Sequence, residues 1–352
     1  MSNDKLIADL ADTARKAART LVAATYEERK SALLAIADAL LARQSEIIAA
    51  NAEDMERGKS SGLNSQLLDR LMLNESRIQG IAGGARKVAA LPNPLGNILR
   101  ERTLESGLKL TQVSVPFGVV GMVYEARPNV TVDAAVILLM SGNAALLRGS
   151  SSAERSNEVL VKVMREALAK TGISPEVIQL IPSHDRDTTR ALLHARGKVD
   201  LVIPRGSAAL IRMVVDESTV PTIETGAGVC HVYVDEKADL NKALPIVVNS
   251  KTHRPSVCNA AETLLVHEKV KDKFLPIVLQ ALHNASVKLH CDDDSLQVAQ
   301  GLNIPAEKAT EESWSTEYGV LEMNVAVVPS LLAASDHILK YGTNHTEAIV
   351  TE

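Results

Sequence analysis

Aromatic residues are scarce in this 352-residue chain: one Trp, two Phe and five Tyr, 2% of the whole. A folded core must therefore be assembled from Leu, Val, Ile and Ala within a hydrophobic share of 46%. Cysteine is scarcer still. Three cysteines, an odd number with no paired spacing, do not form a disulfide framework and argue for a reducing, cytoplasmic setting. Positive charge is not in excess either: 38 Lys and Arg stand against 43 Asp and Glu, a net charge of −5. That balance argues against a nucleic-acid surface, which needs clustered basic residues. No apolar run reaches the ~20 residues that span a bilayer. The longest candidate, 134–147, is interrupted at Ser141, Gly142 and Asn143. Met1 to Leu10 mixes charges with apolar residues, unlike a secretory leader. No internal repeat and no low-complexity segment is present.

The length accommodates two domains of ~150 residues each. The first ninety residues read as helical. Thr25-Tyr26-Glu27-Glu28 fits a capping box, and Leu33, Ile36, Leu40 and Ile47 repeat at helical spacing. Pro92 and Pro94 end that pattern. Gly96 to Val113 alternates around Gly107 and predicts a β-hairpin. From Val115 onward short apolar runs alternate with amphipathic ones. Strands are expected at 119–124, 144–148, 177–181, 200–203 and 231–234, with helices such as 156–170 and 186–195 between them. A second α/β section begins near residue 246, with strands at 262–266, 324–328 and 348–351. Apolar strands alternating with helices predict a doubly wound parallel sheet.

Cys258 is the leading candidate for chemistry. It sits in His253-Arg254-Pro255-Ser256-Val257-Cys258-Asn259-Ala260, a loop between an expected helix and an expected strand. A thiol there can meet solvent and substrate, with Arg254 and His253 supplying positive potential. The same placement also fits a small buried hydrophobe. Cys230 begins an apolar strand and reads as structural. His290-Cys291-Asp292-Asp293-Asp294 lacks a second ligand pair for a metal and reads as a solvated acidic loop. No metal site is expected.

Other candidates follow expected strands. Pro204-Arg205-Gly206-Ser207 opens a helix, whose N-terminus favours an anion, although the G-x-G-x-x-G fingerprint is missing. Arg148-Gly149-Ser150 closes another strand, where an arginine could hold the 2′-phosphate of NADP or a surface ion pair. Pro128 keeps Arg127 out of a helix, and Asn129 could donate to an oxyanion or cap a turn. Glu224, before Thr225-Gly226-Ala227-Gly228, could act as a general base or be a solvated turn residue.

Several stretches together resemble a known family. They are Val115-Pro116-Phe117-Gly118-Val119-Val120-Gly121, Tyr124-Glu125-Ala126-Arg127-Pro128-Asn129-Val130-Thr131-Val132-Asp133, Gly142-Asn143 through Arg148-Gly149, Ile203-Pro204-Arg205-Gly206, Cys230-His231-Val232-Tyr233-Val234-Asp235 and Arg254-Pro255-Ser256-Val257-Cys258-Asn259. In these the chain resembles the gamma-glutamyl phosphate reductase (glutamate-5-semialdehyde dehydrogenase) family of the aldehyde dehydrogenase superfamily. The resemblance runs from the N-terminal helices to the last residue, and the two arginine–proline motifs are particular to this family.

That resemblance implies an α/β, aldehyde dehydrogenase-like fold. A doubly wound parallel-sheet NADPH-binding domain would occupy 1–95 and 115–245. A protruding oligomerisation hairpin would occupy 96–114, and a second α/β catalytic domain 246–352. Cys258 matches the nucleophile, and Asn129 the oxyanion donor. Arg148, Gly149, Ser150, Gly206, Ser207 and Glu317 fall where relatives contact the cofactor, NADPH or NADP. Arg127 and Arg254 are candidates for holding the substrate, L-glutamate 5-phosphate, by charge and proximity. Because no water is activated in the reducing direction, Glu224 stays a weak base candidate. A homo-oligomer, given a complete C-terminus, and an association with glutamate 5-kinase are implied, with no nucleic acid and no membrane. Family members continue past Glu352, so the catalytic section is expected to lack a C-terminal asparagine–serine–threonine–arginine loop and a final strand. Two alternatives stand beside this reading: an oxidising NAD-linked aldehyde dehydrogenase that uses Glu224, and a truncated relative without turnover.

Overall fold

The computed structural model describes residues 2–183, 185, 187–223 and 228–352, with the side chains at 65, 66 and 208 outside that description. The chain divides into two units, Met1–Glu224 and Thr225–Glu352.

The first unit opens with five helices, Asn3–Ala23, Tyr26–Ala42, Gln44–Ser60, Ser65–Leu71 and Glu75–Ala89. Their starts are written in the sequence. Thr25 accepts from the Glu28 N–H while the Glu28 carboxylate accepts from the Thr25 N–H, the expected capping box. Asn64 and Asn74 cap two others. Leu33, Ile36 and Leu40 point into the core, as their spacing predicts.

A hairpin follows. β1 (Ile98–Thr103) pairs antiparallel with β2 (Lys109–Val113), and Gly107 takes a positive φ of 82° at the turn. Every residue of both strands is exposed, Ile98, Leu99 and Leu110 among them. β3 (Val119–Tyr124), β4 (Ala144–Arg148), β5 (Ile178–Leu180) and β6 (Leu201–Arg205) then form a four-stranded sheet in the order β5-β4-β3-β6, parallel throughout. Every residue of β3 and β4 is buried. That is why both read as unbroken apolar runs. The helix Pro128–Met140 is buried on nearly all sides, which matches its sequence, Val-Thr-Val-Asp-Ala-Ala-Val-Ile-Leu-Leu-Met after the first turn. The core of this unit is Leu, Ile, Val and Ala, as the shortage of aromatics requires; among the described residues Tyr124 is its only buried aromatic.

The second unit holds β7 (Cys230–Val234), β8 (Ala261–His267), β9 (Lys288–Cys291), β10 (Ala306–Lys308), β11 (Glu322–Val328) and β12 (Glu347–Val350). They form one parallel sheet in the order β10-β9-β11-β8-β7-β12. Fully buried β8 lies inside this sheet, and the helix Glu268–Asn284 contributes Phe274, Leu275 and Val278 to the core.

By contacts the chain divides between 224 and 225, and β7 hydrogen-bonds to β8 and β12 and so lies in the second sheet. Two expectations need correction. β9 and β10 were not expected, since their short segments carry Lys, His and Glu. The run 290–294 is not a solvated loop. Cys291 is buried at the end of β9, and Asp292 caps the helix Asp293–Gly301 by accepting from Ser295 N–H. Asp292 also accepts from Val327 N–H, and the acidic residues sit in the first turn, where the helix dipole favours them. The expected helix 186–195 is seen as Asp187–Leu193; Arg186 lies outside the described residues.

Gly118 has a φ of +124°, and a Cβ there would overlap the Asp200 carboxylate, which accepts from Val119 N–H at 2.7 Å. Gly118→Ala is therefore expected to destabilise the protein by ~1–3 kcal/mol, read as a lower urea midpoint. An unchanged midpoint would show that Asp200 moves aside without cost.

Candidate functional site

In the first unit the candidate residues gather at the carboxyl ends of the strands. After β3 the chain reaches Glu125 and Arg127, and Pro128 opens the helix Pro128–Met140. Arg127, half-buried, has an extended φ of −137°, as the residue before proline should. Asn129 sits in the first helical turn. Its amide Nδ2 donates to Asp133 Oδ2 at 3.0 Å, one turn further on, so it is held as a donor and does not cap a turn. Burial pushes the Asp133 carboxyl above its usual range, and the bond from Asn129 opposes that shift.

After β4 comes Arg148-Gly149-Ser150. Arg148 is buried, and its guanidinium donates to the carbonyls of Gly149 at 3.0 Å and Asp185 at 3.1 Å. From the sequence, Arg148 could hold the 2′-phosphate of NADP or form a surface ion pair. Here it ties the segment after β5 to the turn after β4. A Cβ on Gly149 would overlap the Asn157 amide and crowd the Tyr124 ring. Beneath it runs a buried chain: the Tyr124 hydroxyl meets Thr131 Oγ1 at 2.8 Å, and Thr131 donates to Asn157 Oδ1 at 2.7 Å. Ser150 accepts from Ser152 N–H and starts the short turn Ser151–Ala153. After β6, Ser207 caps the helix Ala208–Glu217 and donates to Glu125 Oε1 at 2.6 Å. Gly206 lies against Glu125: an added Cβ would come within 2.7 Å of its carboxyl carbon.

A cavity of about 250 Å³ lies beside the ends of β4 and β5, lined by Gly149, Asn157, Leu180 and Pro182 with Glu154 and Glu158. It is smaller than the ~300–1,000 Å³ of a whole drug-sized ligand, and suits one part of a dinucleotide. Close backbone approach at Gly149 and Gly206, with hydroxyls at Ser150 and Ser207, makes this edge compatible with such a cofactor.

In the second unit the candidate thiol lies at the amino end of a strand. Cys258 occupies the loop between the helix Leu240–Thr252 and β8. Two successive turns build that loop: Val257 N–H donates to Arg254 O, and Ala260 N–H donates to Val257 O at 3.0 Å. Cys258 is half-buried, and His253 and Arg254 are exposed in the same loop. The Cys258 carbonyl is pinned from behind. It accepts from Cys230 Sγ at 3.3 Å, and Gly228 packs so closely that a Cβ there would overlap it. Cys230 and Cys291 are buried. Burial, with the Glu347 charge adding to it, pushes Cys230 up to about 12; burial pushes Cys291 up to about 11. Glu317 is exposed in the segment before β11. Glu224 lies outside the described residues.

Sequence reasoning gave no role to Asp133 or Gly228. Asp133 was legible as the i+4 neighbour of Asn129 on a helix. Gly228 was visible only as one member of a glycine-rich stretch. Among the described residues no cluster of three or more metal-ligating side chains occurs, and no helix is long and apolar enough to cross a membrane.

These settings predict that iodoacetamide labels Cys258 alone in the native protein, with Cys230 and Cys291 reacting only after denaturation. Peptide mass spectrometry reads this directly. Labelling of Cys230 at a comparable rate in folded protein would contradict it.

Residues 1–301 match the model of the aldehyde dehydrogenase family. The chain is 52% identical over 337 residues to a gamma-glutamyl phosphate reductase of Kineococcus radiotolerans, covering 96% of this chain and 78% of that protein. It is 50% identical over 343 residues to one from Thermobifida fusca, covering 97% and 81%. The crystal structure of a gamma-glutamyl phosphate reductase from Thermotoga maritima superimposes with a TM-score of 0.91 at 40% identity, covering 98% of this chain and 83% of that one.

Proposed function

The chain belongs to the aldehyde dehydrogenase family, among its gamma-glutamyl phosphate reductases, and we propose that it reduces L-glutamate 5-phosphate to L-glutamate 5-semialdehyde and phosphate, the second step of proline biosynthesis. The observation that carries this reading is the setting of Cys258. It is the one cysteine of three outside the core, and it stands in a loop whose peptide is fixed from behind by Gly228 and Cys230.

In this reading the Cys258 thiolate attacks the acyl carbon, the bond to phosphate breaks, and a thioester remains on Sγ. Asn129, its amide oriented by Asp133, donates to the tetrahedral oxygen. One such donor contributes ~3–4 kcal/mol in comparable sites. Arg127 and Arg254 hold the anionic ends of the substrate. A bound nicotinamide cofactor supplies the reducing electron pair. The residues that would hold it are Gly149, Ser150, Gly206, Ser207 and Glu317. NADPH is the form proposed on kinship with the reductases, since the Arg148 guanidinium is engaged by backbone carbonyls. Cys258 departs as thiolate when the reduced adduct collapses to the aldehyde. No step needs an activated water, so none needs Glu224. The exposed hairpin β1–β2 is assigned to contacts between copies of the chain.

The test is the reverse reaction, phosphate-dependent oxidation of glutamate 5-semialdehyde with NADP. Cys258→Ala is expected to abolish it, and Asn129→Ala to lower kcat ~10²- to 10³-fold. Arg127→Ala and Arg254→Ala should raise KM for the semialdehyde more than for NADP. Turnover that ignores phosphate would replace this reading with an oxidising aldehyde dehydrogenase. Turnover by Cys258→Ala would remove the nucleophile.

A further inference from the structure

Lys251 lies in the last turn of the helix Leu240–Thr252, just before the Cys258 loop, and Glu262 lies at the start of β8, just after it. Both side chains are sealed from solvent, 0% and 1% exposed, and Lys251 Nζ meets Glu262 Oε2 at 2.6 Å. The pair closes the base of the loop that carries the thiol. A buried ion pair is a poor source of stability, because desolvating both charges offsets their attraction, and two apolar side chains of similar volume would join the segments as well. What apolar side chains lack is a second acceptor. Glu262 Oε1 accepts from Gly319 N–H at 3.3 Å. Gly319, with a φ of +63°, lies beside Glu317 in the segment before β11. That segment is tied down again by the Tyr318 hydroxyl, which donates to Asn324 Oδ1 at 2.8 Å; Asn324 in turn donates to Thr263 on β8 at 3.2 Å. Burial pushes the Glu262 carboxyl up to about 7, Lys251 opposing and Glu317 adding to the shift. A carboxyl so placed is kept at a cost, which calls for a role beyond joining two segments.

We infer that Lys251 and Glu262 are positioning residues for the reaction: one carboxylate fixes the Cys258 loop through Lys251 and the Glu317 segment through Gly319. The inference rests on the reading of Cys258 as nucleophile and Glu317 as a cofactor contact, and it adds what sets both in a common frame. It separates the two ties. The Lys251 side governs the thiol, and the Gly319 side governs the segment beside the cofactor.

Two double variants test it, neither leaving a lone buried charge. Lys251→Met with Glu262→Gln removes the ion pair and keeps an acceptor for Gly319 N–H. Lys251→Met with Glu262→Leu removes both ties at similar volume. Each is assayed in the reverse reaction, by thermal unfolding, and by the rate of Cys258 alkylation read on the labelled peptide. Both are expected to lose kcat ~100-fold, the scale of a small misplacement of a reacting group, and to alter the alkylation rate. Only the leucine variant should also raise KM for NADP, by about tenfold, the scale of one lost hydrogen bond. Folded variants with native kcat, KM and alkylation rate would overturn the inference. So would losses that merely track a smaller folded fraction, or a KM change equal in both. Cys258→Ala is run alongside. Activity there would end the nucleophile reading, while the alkylation rates, which need no turnover, would still judge the inference.

Discussion

Parallel strands cannot be joined by a tight turn, and nearly everything chemical in this protein follows from that. Each return to a parallel sheet is a crossover, so every loop falls at one of two sheet edges. In the first unit the candidate residues after β3, β4, β5 and β6 share the carboxyl edge, where helices begin and backbone N–H groups face outward. In the second unit the thiol uses the amino edge, where helices end. The helix before Cys258 presents its carboxyl terminus to the loop, and that end carries negative partial charge. Positive potential there must come from side chains, and Arg254 is the one the loop itself carries. The carboxyl edge of the first sheet and the thiol-bearing amino edge of the second are thus different physical environments built from the same kind of sheet.

Glycine does a second job at these edges. Gly149, Gly206 and Gly228 have no positive φ, unlike Gly118 or Gly319. They are glycine because something is too close for a Cβ: the Asn157 amide, the Glu125 side chain and the Cys258 carbonyl respectively. Close backbone approach is thus spread over single glycines in separate loops, which no spacing rule would collect.

What the sequence revealed tracks burial. β3 and β4 are buried on both faces and were legible to the residue, as was the capping box at Thr25, whose partners are three residues apart. β9 and β10 lie toward a sheet edge, with charged residues that blur the apolar signal. In the sequence β7 looks like any other buried strand; only its pairing with β8 assigns it to the second sheet. Arg148 shows the same limit in the site. Its place after a strand was legible, but the carbonyls that take up its guanidinium come from a segment distant in sequence. The loop placement of Cys258 was legible because that loop is local. Asp133, Cys230 and Gly228 act on it or on Asn129 from behind, through contacts that only folding creates.

An aromatic-poor core also explains why so many loop supports are polar. Large rings fill irregular gaps under loops, and this chain has few to spend there. Buried polar groups stand in. Asp54, sealed in the helix Gln44–Ser60, accepts from the N–H and hydroxyl of Ser156 at 2.8 and 2.6 Å and so holds the helix start just beyond the Ser150 turn. Asn51 donates to the same Ser156. Asp200 holds the entry to β3, and Asp133 holds Asn129. Apolar packing fixes a loop by shape and tolerates slippage, whereas a buried acceptor fixes one named N–H at one distance, and leaving it unmet costs the full desolvation of the group. Loops held by named acceptors in this way are each fixed more narrowly than apolar packing alone would fix them.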